Sequence, residues 1–537
     1  MFPSMSSDRA RWLLLAIAAL VLVGHSLFYN FVTDDAYISF VYSRNLAEHG
    51  ELSFNLGQPV EGYTSFLWTV ILGLGMLAKI PPEWSSRVLA TVCALLTLVL
   101  VFRLMERALG RKTPWAAVPP LLLASSSGFA CWTSGGLETQ LFTLLVVVAV
   151  DGVVDAVQRP AAIRRAAIAL AFAAMTRPEG LLVAGVLGIV QLTSIVLARR
   201  ASGRMPSIRS ELVAIVLFLV LWTPWFAWRF RYYGHLWPNT YYVKAAGRWI
   251  EPSFGLEMYR LGAHYLWVWL NQTKLLFALP LALIGMIVGR TRTPRFVLAL
   301  SSLLLAATYL PYVVTVGGDF MGLHRFIMPL FAVAAITVTL GLEFVASLVG
   351  NPARFGAILA TLLVAAFAFT QYTLTRESLR WGNFANNRGI DTPAFLIVYT
   401  EDRAAIGKAM EACFTPEDFS IVGGAGAQPY YGRMRSIDVF GLVSERIAHE
   451  EPRIRARAGH TKFGSDTLLA SYDPTFVFSC YQIHGKPEQP RLPCAGFWLG
   501  RGYEEVTMHI PGMRQQGEYY TFLAKKDRTF QCPGRVK

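Results

Sequence analysis

Charge is scarce in this sequence: 16% of its 537 residues are Asp, Glu, Lys or Arg, against 54% hydrophobic. A soluble domain cannot bury that much apolar surface, so ordinary water-soluble architectures are excluded. Cysteine is rare, six residues in all, and none shows the Cys/His spacing of a metal site. There is no Walker loop, no dinucleotide glycine motif and no nucleic-acid motif. The absence of an internal repeat counts against a transporter built from paired halves. The absence of a phosphate-cradling loop counts against a nucleotide donor.

Long apolar runs are plentiful. Eleven have about the length needed to cross 30 Å of hydrocarbon, near 12–30, 87–105, 115–131, 138–156, 161–175, 181–198, 212–228, 273–289, 296–316, 326–348 and 355–372. The first follows only Arg9 and Arg11 and precedes no small-residue cleavage site, which predicts a retained helix and not a signal peptide. Phe66–Ile80 is apolar but short and predicts an interfacial helix. Every second loop is basic: Arg103, Arg107, Arg111 and Lys112; Arg159, Arg164 and Arg165; Arg199, Arg200, Arg204 and Arg209; Arg290, Arg292 and Arg295; then Arg354. Positive charge stays on the cytoplasmic side, so the N-terminus is expected inside and the alternate loops outside. This spread accounts for the net charge of +14 without a nucleic-acid partner.

The alternate loops are rich in carboxylates, aromatics, Gly and His: 31–65, 132–137, 176–180, 229–260 and 317–325. Five polar loops meeting at one end of a bundle predict a water-filled pocket at the membrane boundary. The division expected is a membrane module over 1–378 and an extracytoplasmic α/β domain over 379–537, with strand-like Phe476–Cys480 and Tyr519–Leu523. Four cysteines (Cys413, Cys480, Cys494, Cys532) lie in that tail, and an oxidising compartment suggests two disulfides among three connectivities. Buried free thiols are the alternative. Cys93 and Cys131 read as packing residues in helices.

Asp34 and Asp35 stand together just after the first span, where adjacent carboxylates are costly to hold. One can act as the base that deprotonates an acceptor hydroxyl in glycosyl transfer; the other can orient the acceptor or hold a divalent cation. A plainer reading makes them the N-cap and first turn of a helix. Arg44, Arg177, Lys244, His324 and Arg325 are candidates for a donor phosphate, although Arg at a helix end also serves as an interface anchor. Tyr37, Glu61, Tyr63, Glu138, Tyr233, His235, Asn239 and Asp319 are candidates for sugar or acceptor binding, against loop hydrogen bonding and an aromatic belt. No cofactor is required by the sequence, and a divalent cation is the one addition it leaves open. A transporter or flippase of lipid-linked sugars is the competing class, with a non-catalytic envelope scaffold as the third.

Thr33-Asp-Asp-Ala-Tyr-Ile-Ser-Phe40, Ser43-Arg-Asn-Leu46, Phe54-Asn55 and Val60-Glu-Gly-Tyr-Thr64 resemble the first extracytoplasmic loop of the arabinofuranosyltransferase-like branch of GT-C glycosyltransferases. Gly136-Leu-Glu138, Arg177-Pro-Glu-Gly180, Tyr232-Tyr-Gly-His235, Pro238-Asn-Thr240, Gly317-Gly-Asp-Phe320 and His324-Arg325 are similar to later motifs of the group. So are Asp438-Val-Phe-Gly-Leu442 and Gly459-His-Thr-Lys462 in the tail. The resemblance implies a multi-span α-helical GT-C fold in the bacterial cytoplasmic (inner) membrane with its active site outside. It implies a polyprenyl-phosphate-linked donor sugar, D-arabinofuranose before others, and an envelope glycan or surface protein as acceptor. A first-loop Asp is the implied base, which falls on Asp34 or Asp35, with Asp34 preferred.

Overall fold

The computed structural model describes residues 7–203, 207–248, 251–287, 293–380, 389–454, 457–528, 532 and 534–536. Arg204, Arg290 and Arg292 of the basic loops lie outside the described residues. The first apolar run becomes α1 (Ser7–Tyr29), followed by α2 (Asp34–His49) and α3 (Phe66–Leu77). The short α3 lies against α2, whose Ser43 hydroxyl donates to the Thr69 carbonyl at 2.8 Å. Next comes α4 (Pro82–Leu109), which opens on a proline in its first turn and closes on Gly110 at φ 65°. Then follow α5 (Val118–Ser125), α6 (Ser127–Ser134), α7 (Thr139–Asp155), α8 (Ile163–Thr176), α9 (Glu179–Ser202) and α10 (Arg209–Tyr233). The membrane part continues with α11 (Asn239–Lys244), α12 (Pro252–Thr273), α13 (Leu275–Ile287), α14 (Pro294–Thr315), α15 (Met328–Ser347) and α16 (Pro352–Ser378).

Among the described residues, seven helices are long and apolar enough to cross a membrane, or nine if the bent pairs α6/α7 and α12/α13 each count as one span. That is fewer than the eleven expected. The runs at 115–131 and 161–175 fall on short helices: the chain breaks at Ser126 between α5 and α6, and α8 has 14 residues, about 21 Å of helix. Yet α8 reaches from one end of the bundle to the other. Near its start Arg165 pairs with Asp151, and just past its end Arg177 pairs with Glu138.

Ion pairs gather three of the five basic loops at one end. Arg107 and Arg159 meet Asp155 at 3.5 and 2.8 Å, and Arg111 and Arg295 meet Glu343 at 3.0 and 3.4 Å. The carboxylate-rich and aromatic loops meet at the other end, beneath the tail.

The tail adds α17 (Pro393–Glu411), β1 (Ser420–Val422), α18 (Ala427–Gly432), β2 (Ser436–Asp438), α19 (Glu445–Glu450), β3 (Phe476–His484), β4 (Tyr503–His509) and β5 (Tyr519–Lys525). Sheet order is β2-β1-β3-β5-β4, with β1 parallel to β2 and β3, and β5 antiparallel to β3 and β4. Alternate residues feed two separate cores: Phe476, Phe478, Tyr520 and Phe522 on one face, Val477 and Leu523 on the other. Disulfides join Cys413 to Cys532 and Cys480 to Cys494, whereas Cys93 and Cys131 are buried free thiols. The Asn55 amide pins the tail to the first loop, donating to the Ser436 carbonyl at 2.9 Å and accepting from its N–H at 3.0 Å.

Candidate active site

The polar end of the bundle encloses a cavity of about 430 Å³. α2 enters it by its first turn. Thr33 is the N-cap residue but makes no side-chain cap bond, and Asp34 and Asp35 occupy the first turn together. Successive helical residues project about 100° apart, so the two carboxylates meet different surroundings. Asp35 lines the cavity. Asp34 turns to the tail, where its Oδ1 accepts the Ala427 N–H at 2.8 Å. The fit there is tight, since a Cβ on Gly426 would lie 2.4 Å from the Asp34 carboxyl.

Burial pushes the Asp35 pKa up, while Lys244 and then Arg325 pull it back. Burial is also the main reason that Asp34 is raised, to about 6, against the pull of the Ala427 N–H.

The other walls of the cavity are ion-paired. Arg177 bonds Glu138 at 2.7 Å and Glu179 at 3.0 Å, and all three are buried. Arg325 pairs with Asp319. Lys244 has no ion-pair or hydrogen-bond partner among the described residues and faces the cavity from the end of α11. Trp237, Tyr241 and Tyr312 supply aromatic wall, and Leu442 and Gly459 of the tail roof it. Larger cavities, of about 450, 670 and 820 Å³, are lined by neither Asp35 nor Lys244.

No family model matches this chain. A terminal β-(1→2)-arabinofuranosyltransferase of Corynebacterium glutamicum is 26% identical over 343 residues, 57% of this chain and 47% of the relative. The chain thus spans about half the length of the curated relative it matches, 47%. Among solved structures, ArnT from Cupriavidus metallidurans bound to undecaprenyl phosphate superposes with a TM-score of 0.58 at 13% identity, covering 95% of this chain and 97% of that one. The chain has the GT-C fold. An oligosaccharyltransferase of Archaeoglobus fulgidus, complexed with zinc and sulfate, has the same fold at TM-score 0.50 and 12% identity, over 79% of this chain and 62% of that one.

On the GT-C frame the candidates read from the sequence separate. Asp35, Tyr63, Glu138, Arg177, Lys244, Asp319 and Arg325 come together in the cavity. Asp34, Arg44, Tyr37, Glu61, Tyr233, His235, Asn239 and His324 do not line it. Arg44 donates to the Tyr430 carbonyl at 2.7 Å, and the Tyr37 hydroxyl meets that of Tyr431 at 3.1 Å, so both hold the tail. Glu61 is bound by Arg229, with Nε at 2.9 Å. Tyr233 donates to the Leu52 carbonyl at 2.7 Å, and Asn239 donates to the Gly441 carbonyl at 2.7 Å. His235 meets Glu445 at 2.6 Å.

His324 fails as a phosphate cation. It is buried in a left-handed turn with its ring 4.6 Å from that of Tyr265, and burial drives its pKa down to about 3. A neutral imidazole offers the phosphate no charge. Arg248, four residues beyond Lys244, also lines the cavity and is not among the candidates read from the sequence. That four-residue spacing was the available signal.

Proposed function

We propose that this GT-C protein transfers a sugar from a polyprenyl-phosphate carrier to an acceptor outside the cytoplasmic membrane, with Asp35 as the base. The observation that carries this reading is the pairing pattern of the cavity. Glu138, Glu179 and Asp319 are engaged by arginines, which leaves Asp35 to take a proton and Lys244 to meet a phosphate.

In the reaction the Asp35 carboxylate removes the acceptor's hydroxyl proton as that oxygen bonds to the anomeric carbon. The bond from the anomeric carbon to the phosphate oxygen breaks, and the polyprenyl phosphate leaves with the electron pair. Lys244, with Arg248 beside it, stabilises the charge that grows on the leaving phosphate. The raised affinity of Asp35 for protons suits a general base better than an ordinary exposed carboxylate. The arginine pairs give the cavity a fixed polar lining for sugar hydroxyls. With Lys244 carrying the phosphate charge, this mechanism needs no divalent cation.

Arabinofuranose is the proposed donor sugar, supported by the 26% identity to the C. glutamicum enzyme. An envelope glycan or surface protein is the proposed acceptor. The alternating basic loops support placing the cavity on the extracytoplasmic side.

The test is transfer of labelled sugar from polyprenyl-phosphoryl-arabinose to envelope acceptors by membranes containing the protein. Asp35→Asn should lower kcat by about 10²–10⁴-fold, the range of a lost general base. Asp34→Asn should retain most turnover, and Lys244→Ala should lose turnover at any donor concentration. Full activity in a normally inserted Asp35→Asn protein would sink the assignment. No transfer by wild type from any polyprenyl-linked sugar would favour the transporter or the scaffold reading instead.

A further inference from the structure

His235 leaves the end of α10 just after Gly234, which turns the chain at φ 76°. Its Nε2 lies 2.6 Å from Oε1 of Glu445, the first residue of α19 and 210 positions away in sequence. Four residues on, His449 stacks its ring on that of His235, with centroids 4.8 Å apart and planes 22° apart. Four-residue spacing puts Glu445 and His449 on one face of the helix, both towards His235. The ligating atoms of all three lie within 4.8 Å of one another.

A hydrogen bond accounts for His235 and Glu445 alone. It does not account for His449, which has no hydrogen bond to protein among the described residues and packs its ring against both Tyr242 and His235, with centroids 4.3 and 4.8 Å away. We infer that His235, Glu445 and His449 form a binding site for a divalent first-row metal ion, with zinc the best match. Two imidazoles and a carboxylate are a three-ligand zinc set that leaves a fourth position for water, and the two nitrogens disfavour magnesium and calcium. Bonds of about 2.0–2.2 Å in a tetrahedral arrangement bring ligand atoms to roughly 3.4 Å from one another. Glu445 and His449 are exposed and free to close the remaining distance.

The ion would tie the segment between α10 and α11 to the tail. That segment leads into Tyr241 and Lys244 of the cavity, and Asn239 already clamps it to the Gly441 and Leu442 carbonyls at 2.7 and 3.0 Å. Metal binding would therefore stiffen one wall of the cavity. The inference does not depend on the transfer reaction.

The test uses the full chain in detergent, purified without a polyhistidine tag and stripped by chelator. Zinc chloride is titrated against a chromophoric competitor, with bound metal counted by mass spectrometry. One zinc per chain is expected, bound at least about tenfold more weakly by His449→Ala and by Glu445→Gln. His49→Ala, at an exposed histidine outside the cluster, should match wild type. At equal zinc concentration the thermal midpoint should rise more in wild type than in His449→Ala. Absence of stoichiometric zinc from wild type, or equal zinc affinity in wild type and His449→Ala, would overturn the site.

Discussion

At the scale of single residues, adjacent carboxylates within one turn of helix meet different surroundings. Asp35 enters the cavity, while Asp34 is buried against the Ala427 N–H and Gly426. The folded Asp34 holds its proton up to about pH 6, against an ordinary 3.8, a difference of roughly 3 kcal/mol. A carboxyl whose pKa rises on folding contributes stability below the unfolded value and loses it as pH climbs through the folded one. The thermal midpoint of Asp34→Asn should therefore exceed that of wild type above pH 6, with the gap closing towards pH 4. A constant gap across that window, by scanning fluorimetry in detergent, would reject the explanation. Arg177 has the opposite sensitivity. Replacing it with Met strands buried Glu138 and Glu179, which costs roughly 3–5 kcal/mol. Arg177→Met should therefore accumulate poorly in membranes, and Arg177→Lys should recover only part of the yield because lysine lacks the planar fork that serves two carboxylates.

At the scale of elements, α13 and α15 approach so closely that side chains are excluded between them. A Cβ on Gly341 would stand 1.9 Å from the Leu281 carbonyl oxygen, and one on Gly285 would stand 1.9 Å from that of Thr337. Small residues of this kind are what bring helix backbones together in lipid. Gly341→Leu should force the pair apart and lower the thermal midpoint, at a cost of at least 1–3 kcal/mol, about that of an overpacked core. Gly188→Ala on α9, with nothing within 4 Å of its added methyl, is the control and should be silent. Equal behaviour of the two variants would remove the close approach as a determinant of the bundle.

At the scale of the whole molecule, the tail is both lid and partner of the membrane part, since Leu442 and Gly459 roof the cavity and Asn55 holds Ser436. Its two disulfides close loops of very different length, with a sequence separation of 119 for Cys413–Cys532 and 14 for Cys480–Cys494. In the chain-entropy account they contribute about 5 and 3 kcal/mol. Loss of the Cys413–Cys532 bridge by paired Ser substitutions should lower the midpoint more than loss of the shorter one. Sidedness is checked in the same frame. A membrane-impermeant maleimide should label Cys at exposed position 463 in intact spheroplasts, and label Cys at position 112 only after lysis. The reverse pattern would invert the topology.

Apolar runs, alternating basic loops and the paired Asp were legible in the sequence because hydropathy and charge act locally and need no partner. Those signals suffice for a membrane bundle with its polar loops at one end, and the first-loop block carries the resemblance to GT-C enzymes. Which candidates meet was decided only by tertiary structure. His324 looked like a cation but is a buried ring that does not line the cavity, and Arg44 looked like a phosphate ligand but holds Tyr430. Glu61 is consumed by Arg229, 168 residues away. Asp35 and not Asp34 reaches the cavity, because a 100° step along α2 is read only against what packs on each side. Charge and hydropathy belong to single residues, whereas burial and ion pairing belong to neighbours that the chain brings together only on folding.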